Sequence, residues 1–336
     1  MRILVPCAAL ALAVAAACSG GTAPSPLEPT EPPRSGAPAV TAPEPAPART
    51  PTPTSTPTRT PTPAPATTPT PTPAPTPAPT PDPLEVRCAG LDERGAALSE
   101  AVEKVMAGMT GGWGLALIDL DCDASIVIRP EHGQYPASAG KIVIMITALR
   151  AAQEGLLDLE EIRPHVEIVL AQSLDSHADL VNDLVTSEQI AAVLERAAVS
   201  EASEFEHSWR YAHMTALDMA RVWASLVRGE QLDGGLTAYL LELATRPILG
   251  EAFWPFPPGF GVDGYTYGQK AGYWTSPLPT GYRVSAGYAR PEDGSAAGYV
   301  FAFLIRVRGG DWATEWRRPI FPLVRDFLVT EMGAAP

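Results

Sequence analysis

Between Leu91 and Met109 the apolar positions Leu98, Val102, Val105 and Met109 recur at helical spacing, predicting an amphipathic first helix that Gly111-Gly112 ends. Trp113 to Leu120 then reads as a buried strand, Asp121-Cys122-Asp123 as a turn and Ser125 to Arg129 as a second strand, so this stretch forms a hairpin. From Ser138 to Ala152 the chain is apolar nearly all round, the pattern of a helix at the centre of a domain. Leu156 to Leu249 is mostly helical in period, with helices expected over Ile190 to Ala198, Thr215 to Arg228 and Leu236 to Thr245. Aromatic and β-branched segments follow at Tyr265 to Trp274, Tyr282 to Ala289 and Gly298 to Val307, separated by Pro and Gly turns, and Pro319 to Glu331 closes the chain as a helix. That order defines an α+β body in which the first and last helices cover an antiparallel sheet.

The N-terminal quarter follows different rules. After Met1-Arg2, Ile3 to Ala17 is apolar but shorter than the ~20 residues a membrane-spanning helix needs, which predicts an export signal over residues 1–17. Its end, Val14-Ala15-Ala16-Ala17-Cys18-Ser19-Gly20-Gly21, resembles a bacterial lipobox in which Cys18 takes the lipid, with Ala15 in place of the usual Leu. Ala-x-Ala also suits ordinary signal cleavage and free secretion; either route carries the protein out of the cytoplasm, to the outer face of the membrane or beyond. Residues 18–83 hold 23 of the 37 prolines, interleaved with Thr and Ala. Such a segment builds no core and favours polyproline II, reaching on the order of 190 Å if fully extended. A folded body of about 250 residues, 84–336, remains, enough for one large domain with its own core.

Charge and cysteine use narrow the possibilities. The formal charge of −14 belongs entirely to this body, because the basic and acidic residues before Leu84 cancel. An acidic body repels phosphate backbones, which excludes a nucleic-acid reader. Cys7 leaves with the signal and Cys18 is the proposed lipid site, so an oxidising compartment pairs Cys88 with Cys122. His132, His165, His177, His207 and His213 show no paired-ligand spacing, and neither a metal nor a cofactor is expected.

Lysine is scarce, three residues against 21 arginines, which makes its positions informative. Lys141 follows Ser138 by one helical turn, placing an amine on the same face as a hydroxyl, and Lys270 lies in Lys270-Ala271-Gly272 on a late strand. A desolvated amine loses proton affinity and can serve as a base for a serine nucleophile. A Ser-His-Asp triad is disfavoured because no Gly-x-Ser-x-Gly elbow is present.

The order of these motifs resembles the penicillin-recognising serine hydrolases, above all the class A β-lactamases, from about Cys88 to the C-terminus. Glu131 and Tyr135-Pro136-Ala137-Ser138-Ala139-Gly140-Lys141 match the family's approach to Ser-x-x-Lys, and Gln269-Lys270-Ala271-Gly272-Tyr273-Trp274 its Lys-Thr-Gly strand. Thr215 to Arg221 looks like the helix start after the Ω loop. For the Ser-Asp-Asn motif, Ser173-Leu174-Asp175 aligns with Ser173 as the serine and Asp175 in the asparagine place; Ser176 competes for the serine role. The resemblance implies a five-stranded antiparallel sheet flanked by helices. It assigns Ser138 as nucleophile, Lys141 as base, Ser173 and Lys270 as proton relay and carboxylate site, the backbone N–H groups of Ser138 and Tyr273 as oxyanion hole, and Asp175, Ala271 and Gly272 as substrate contacts.

Three departures accompany it. The segment from Lys141 to Ser173 is short, which trims the all-helical subdomain; Ala271 stands where the family has threonine; and between Ala198 and Thr215 there is no Glu-x-x-Leu-Asn, leaving Glu204 and Glu206 as the candidates for a deacylation base. The expected activity is hydrolysis of β-lactams or related cell-wall peptide amides through an acyl-serine, by a monomer. The alternative is a degenerate domain of the same fold that binds or senses a wall peptide or a partner protein. The loop Phe253-Trp254-Pro255-Phe256-Pro257-Pro258 either lines the cleft or packs over the sheet.

Overall fold

The computed structural model describes residues 82–109, 111–246, 264–275, 280–308 and 317–331. The signal segment, Cys18, the Pro/Thr-rich linker up to residue 81 and the Phe253–Pro258 loop lie outside the described residues, while Asp82 and Pro83, expected at the end of the linker, already belong to the start of the folded body. The chain divides into two units, Met1–Ala74 and Pro75–Pro336, and only the second contains described residues. Among these, no helix is long and apolar enough to cross a membrane.

The centre of the body is a five-stranded antiparallel sheet in the order β2-β1-β7-β6-β5. Its strands are β1 (Gly111–Asp119), β2 (Ala124–Ile128), β5 (Tyr265–Thr275), β6 (Thr280–Pro291) and β7 (Tyr299–Arg308). The short strands β3 (Gly133–Gln134) and β4 (Met214–Thr215) pair separately. Alternation sorts the large sheet into two faces. On one, Trp113, Leu115, Leu117, Phe301, Phe303 and Ile305 pack under α2 (Leu91–Met106) and the C-terminal helix α9 (Arg317–Glu331). The first and last helices thus cover the sheet, as their apolar stripes imply. A short preceding helix, α1 (Pro83–Ala89), starts where the Asp82 carboxylate accepts from the Leu84 N–H at 2.8 Å.

On the other face lie α3 (Lys141–Gln153), α4 (Leu159–Gln172), α5 (Asp175–Leu184), α6 (Ser187–Arg196), α7 (Ala216–Val227) and α8 (Gly234–Ala244). Helix α3 is buried on every side, with Ile142, Val143, Ile144, Met145 and Ile146 fully enclosed. Each such side chain contributes roughly 1.5–3 kcal/mol of transfer free energy, which anchors this helix at the centre of the helical layer. The helices begin where side chains satisfy their free N–H groups: Asp158 for α4, the Thr186–Gln189 capping box for α6, Thr215 for α7 and Asp233 for α8.

Two local readings change. Gly111 and Gly112 open β1 rather than closing the first helix, which ends at Met106. A Cβ on Gly111 would lie 1.9 Å from the Arg306 carbonyl oxygen across the sheet, so glycine serves the β1–β7 pairing here. Ser138 belongs to a 3-10 turn, Ala137–Gly140, and the α-helix proper starts at Lys141. The disulfide Cys88–Cys122 is formed and ties α1 to the β1–β2 turn.

Candidate active site

Strand β5 and helix α3 meet at the Ala137–Gly140 turn. Ala137 holds a φ of +50°, a left-handed conformation that a side-chain-bearing residue adopts at a cost of order 1–3 kcal/mol, and the strain falls immediately before Ser138. Gly272 explains how closely the strand approaches. A Cβ there would lie 2.3 Å from the Pro136 carbonyl oxygen and 2.7 Å from the Ala139 nitrogen, so only glycine lets the β5 backbone reach the turn. The next strand residue is Tyr273, whose backbone N–H the resemblance assigns to the oxyanion hole; its side chain and that of Ala271 lie on the opposite side of the pleat from Gly272.

The α4–α5 connection enters from the other side. Helix α4 stops because Ser173 turns left-handed at φ 59°, returning its N–H to the Val169 carbonyl. That turn aims its backbone carbonyl and its hydroxyl at two different ammonium groups. Lys141 Nζ donates to the Ser173 carbonyl oxygen at 2.7 Å and to Asp175 Oδ1 at 2.5 Å; Lys270 Nζ donates to Ser173 Oγ at 2.7 Å and to the Ala271 carbonyl at 3.3 Å. Lys141 and Lys270 are both buried, whereas Asp175 opens to solvent with 55% of its side chain exposed. Ser176, exposed on α5, has no hydrogen bond of this kind, so Ser173 is the hydroxyl that joins the cluster.

Burial pulls the Lys141 ammonium below the usual lysine range, against the opposing effect of the hydrogen bond it donates to Asp175 and with help from the Arg210 charge. Lys270 is lowered to about 7, by burial first and by the Lys141 charge second.

Trp209 and Arg210, both passed over in the sequence, close the cluster from the loop between α6 and β4. Trp209 is buried, and its ring carries the Lys141 ammonium 4.4 Å and the Arg210 guanidinium 4.5 Å from the centroid. Arg210 is held by a two-pronged pair with Asp179 at 2.9 and 2.7 Å and stands 3.7 Å from Asp175. An adjacent Trp-Arg pair in this loop was the available signal.

Glu204 and Glu206 do not join the cluster. Glu204 spends its backbone on an antiparallel bridge to His213, with N···O distances of 2.7 and 2.6 Å, and its side chain is exposed; Glu206 is exposed beside His207 at 3.8 Å. The same loop is fastened to α7 by buried Asp218, which accepts from Ser200, Ser203, Thr215 and Arg221. The histidines are less scattered than their spacing suggests, since His165 and His177 meet across α4 and α5 with Nδ1 atoms 2.8 Å apart. Among the described residues no group of three or more His, Cys, Asp or Glu could hold a metal ion.

An antiparallel sheet with helices on both faces and a serine-lysine cluster at the edge strand defines the β-lactamase/transpeptidase class of fold. Residues 97–168 match the model of the β-lactamase enzyme family. Among solved structures, the fold is shared with PBP-A (16% identity, covering 68% of this chain and 95% of that one, TM-score 0.56). It is shared also with a β-lactamase from Xanthomonas campestris (16%, 70% and 98%, 0.57) and a class A β-lactamase from Bacteroides cellulosilyticus (11%, 70% and 99%, 0.59). No curated protein matches the sequence significantly. The chain is therefore β-lactamase-like in fold, and residues 97–168 carry the family's sequence pattern.

Proposed function

We propose that the body is a serine hydrolase that acylates Ser138 with a β-lactam or a related cell-wall peptide amide. The observation that carries this reading is the convergence of two buried lysines on one turn, Lys141 on the Ser173 carbonyl and Lys270 on the Ser173 hydroxyl. In its neutral form Lys141 has two N–H groups, matched by its two acceptors, and one lone pair left to take a proton. Ser138 Oγ attacks the carbonyl carbon and its proton passes to Lys141. The C–N bond then breaks, and the leaving nitrogen takes the Ser173 hydroxyl proton, which the lysines restore. As an ammonium, Lys270 also attracts a substrate carboxylate.

Removal of the acyl group is the slow half of this reading. The loop between α6 and β4 offers the cluster Arg210, while Glu204 and Glu206 lie outside it. The body is exported through the residue 1–17 signal and anchored by lipid on Cys18, with residues 18–83 as spacer.

Incubation with benzylpenicillin followed by mass spectrometry tests the proposal. The expected result is one adduct on Ser138 that lasts for many minutes and is absent in Ser138→Ala; no adduct on the wild type overturns it. A second reading, a domain that binds a wall peptide without turning it over, draws on the loop between α6 and β4 bringing Arg210, and neither Glu204 nor Glu206, up to Asp175. It is favoured if wild type and Ser138→Ala bind the ligand equally and neither is labelled.

A further inference from the structure

Alternation along β5 sends Lys270, Gly272 and Trp274 to the same face of the sheet. The Gly272 position abuts the Ala137–Gly140 turn, so this row runs past the nucleophile with Lys270 on one side and Trp274 on the other. At about 6.7 Å per pair of residues, the two ends stand roughly 13 Å apart with the Ser138 turn near the middle.

The end away from Lys270 is aromatic. Tyr282 lies opposite Trp274 in the β5–β6 register, with ring centroids 5.5 Å apart. Tyr135, three residues before Ser138, meets Trp274 edge-on at 6.1 Å and Tyr282 edge-on at 5.8 Å, with interplanar angles of 88° and 87°. Three rings from three different positions therefore form one wall, held at the separations and angles that aromatic pairs prefer. Trp274 is nevertheless 40% exposed, an unusual cost for the largest apolar side chain of the wall.

We propose that Tyr135, Trp274 and Tyr282 form a subsite for an aromatic ring on the acyl side of the substrate, opposite the carboxylate held by Lys270. The two ends select different chemistry. A carboxylate is drawn to the ammonium and repelled by the negative faces of the rings, whereas an aryl group gains edge-to-face contact and buries the open part of Trp274. A ligand with both groups, one on each side of its carbonyl, is oriented before reaction. This specifies the substrate of the serine hydrolase reading and rests on it for the covalent step alone.

The test uses the full chain and two penicillins that differ only in the side chain, phenylacetyl or acetyl. Wild type is expected to acylate at least tenfold faster, as a second-order rate constant, with the phenylacetyl compound. Trp274→Ala lowers that constant on the order of tenfold and the acetyl compound by much less, so that the preference collapses, and Trp274→Phe restores most of it. Equal losses on both compounds, or no loss on either, overturn the subsite. If neither compound labels the wild type, the hydrolase reading fails and the subsite is judged by non-covalent binding to Ser138→Ala. N-phenylacetylglycine should then quench tryptophan fluorescence at lower concentration than N-acetylglycine, and should lose that advantage in Ser138→Ala/Trp274→Ala. No difference between the two ligands removes the subsite.

Discussion

Lys270 is the residue on which the pH behaviour turns. With its ammonium lowered to about 7 by burial and by the neighbouring Lys141 charge, it changes form in the physiological range. If the charged form draws in a carboxylate, acylation by an anionic penicillin should fall as pH rises through about 7 and the Lys270 proton is lost. Lys270→Arg keeps its charge and should move that fall well above pH 9, at a lower overall rate. A stopped-flow profile of the wild type that stays flat from pH 6 to 9 would count against the role. The scarcity of lysine made Lys141 and Lys270 visible in the sequence. Their partners were less visible: Asp175 as the carboxylate on Lys141, and Trp209 with Arg210 behind it, depend on a left-handed Ser173 and on a loop path that no local periodicity encodes.

At the scale of elements, the site depends on one strand touching one turn. Replacing Gly272 by Ala places a carbon against the Pro136 oxygen and the Ala139 nitrogen, and neither is the end of a flexible side chain. The strand must withdraw. Acylation of Ser138 should fall at least 100-fold, while unfolding in urea should show a loss of only about 1–3 kcal/mol, the range for overpacking. Unchanged acylation would mean that this contact does not align the reacting groups. Most elements were legible because their hydrophobic periods are long: the α2 stripe, the wholly apolar α3 and the aromatic strands β5 to β7 all lie within a few residues of expectation. The exceptions share a cause. Gly111-Gly112 reads locally as a stop, but it is β7, nearly 200 residues away, that recruits it into a strand. The left-handed Ala137 is likewise imposed by the packing around it, since alanine has no preference for that conformation.

For the whole molecule, the N-terminal end of the folded body is fastened more firmly than a seven-residue helix could manage alone. Cys88 is bonded to Cys122, Arg87 pairs with Asp119 and Asp121 at 3.2 Å, and Arg94 pairs with Glu331 of the last helix. Closing a loop of this length contributes about 3–4 kcal/mol in the chain-entropy model. Cys88→Ser/Cys122→Ser should therefore melt on the order of 6–12 °C lower by calorimetry, with acylation at Ser138 retained at low temperature. A melting point shifted by less than 2 °C would show that the ion pairs suffice.

The same crosslink determines where a mechanical load would enter. Tension applied to the chain ahead of Asp82 can peel back α1 only as far as Cys88, where the pull passes through sulfur to the β1–β2 turn and is shared across the hydrogen-bonded strands. Helix α2, which begins after Cys88, therefore stays out of the direct line of force.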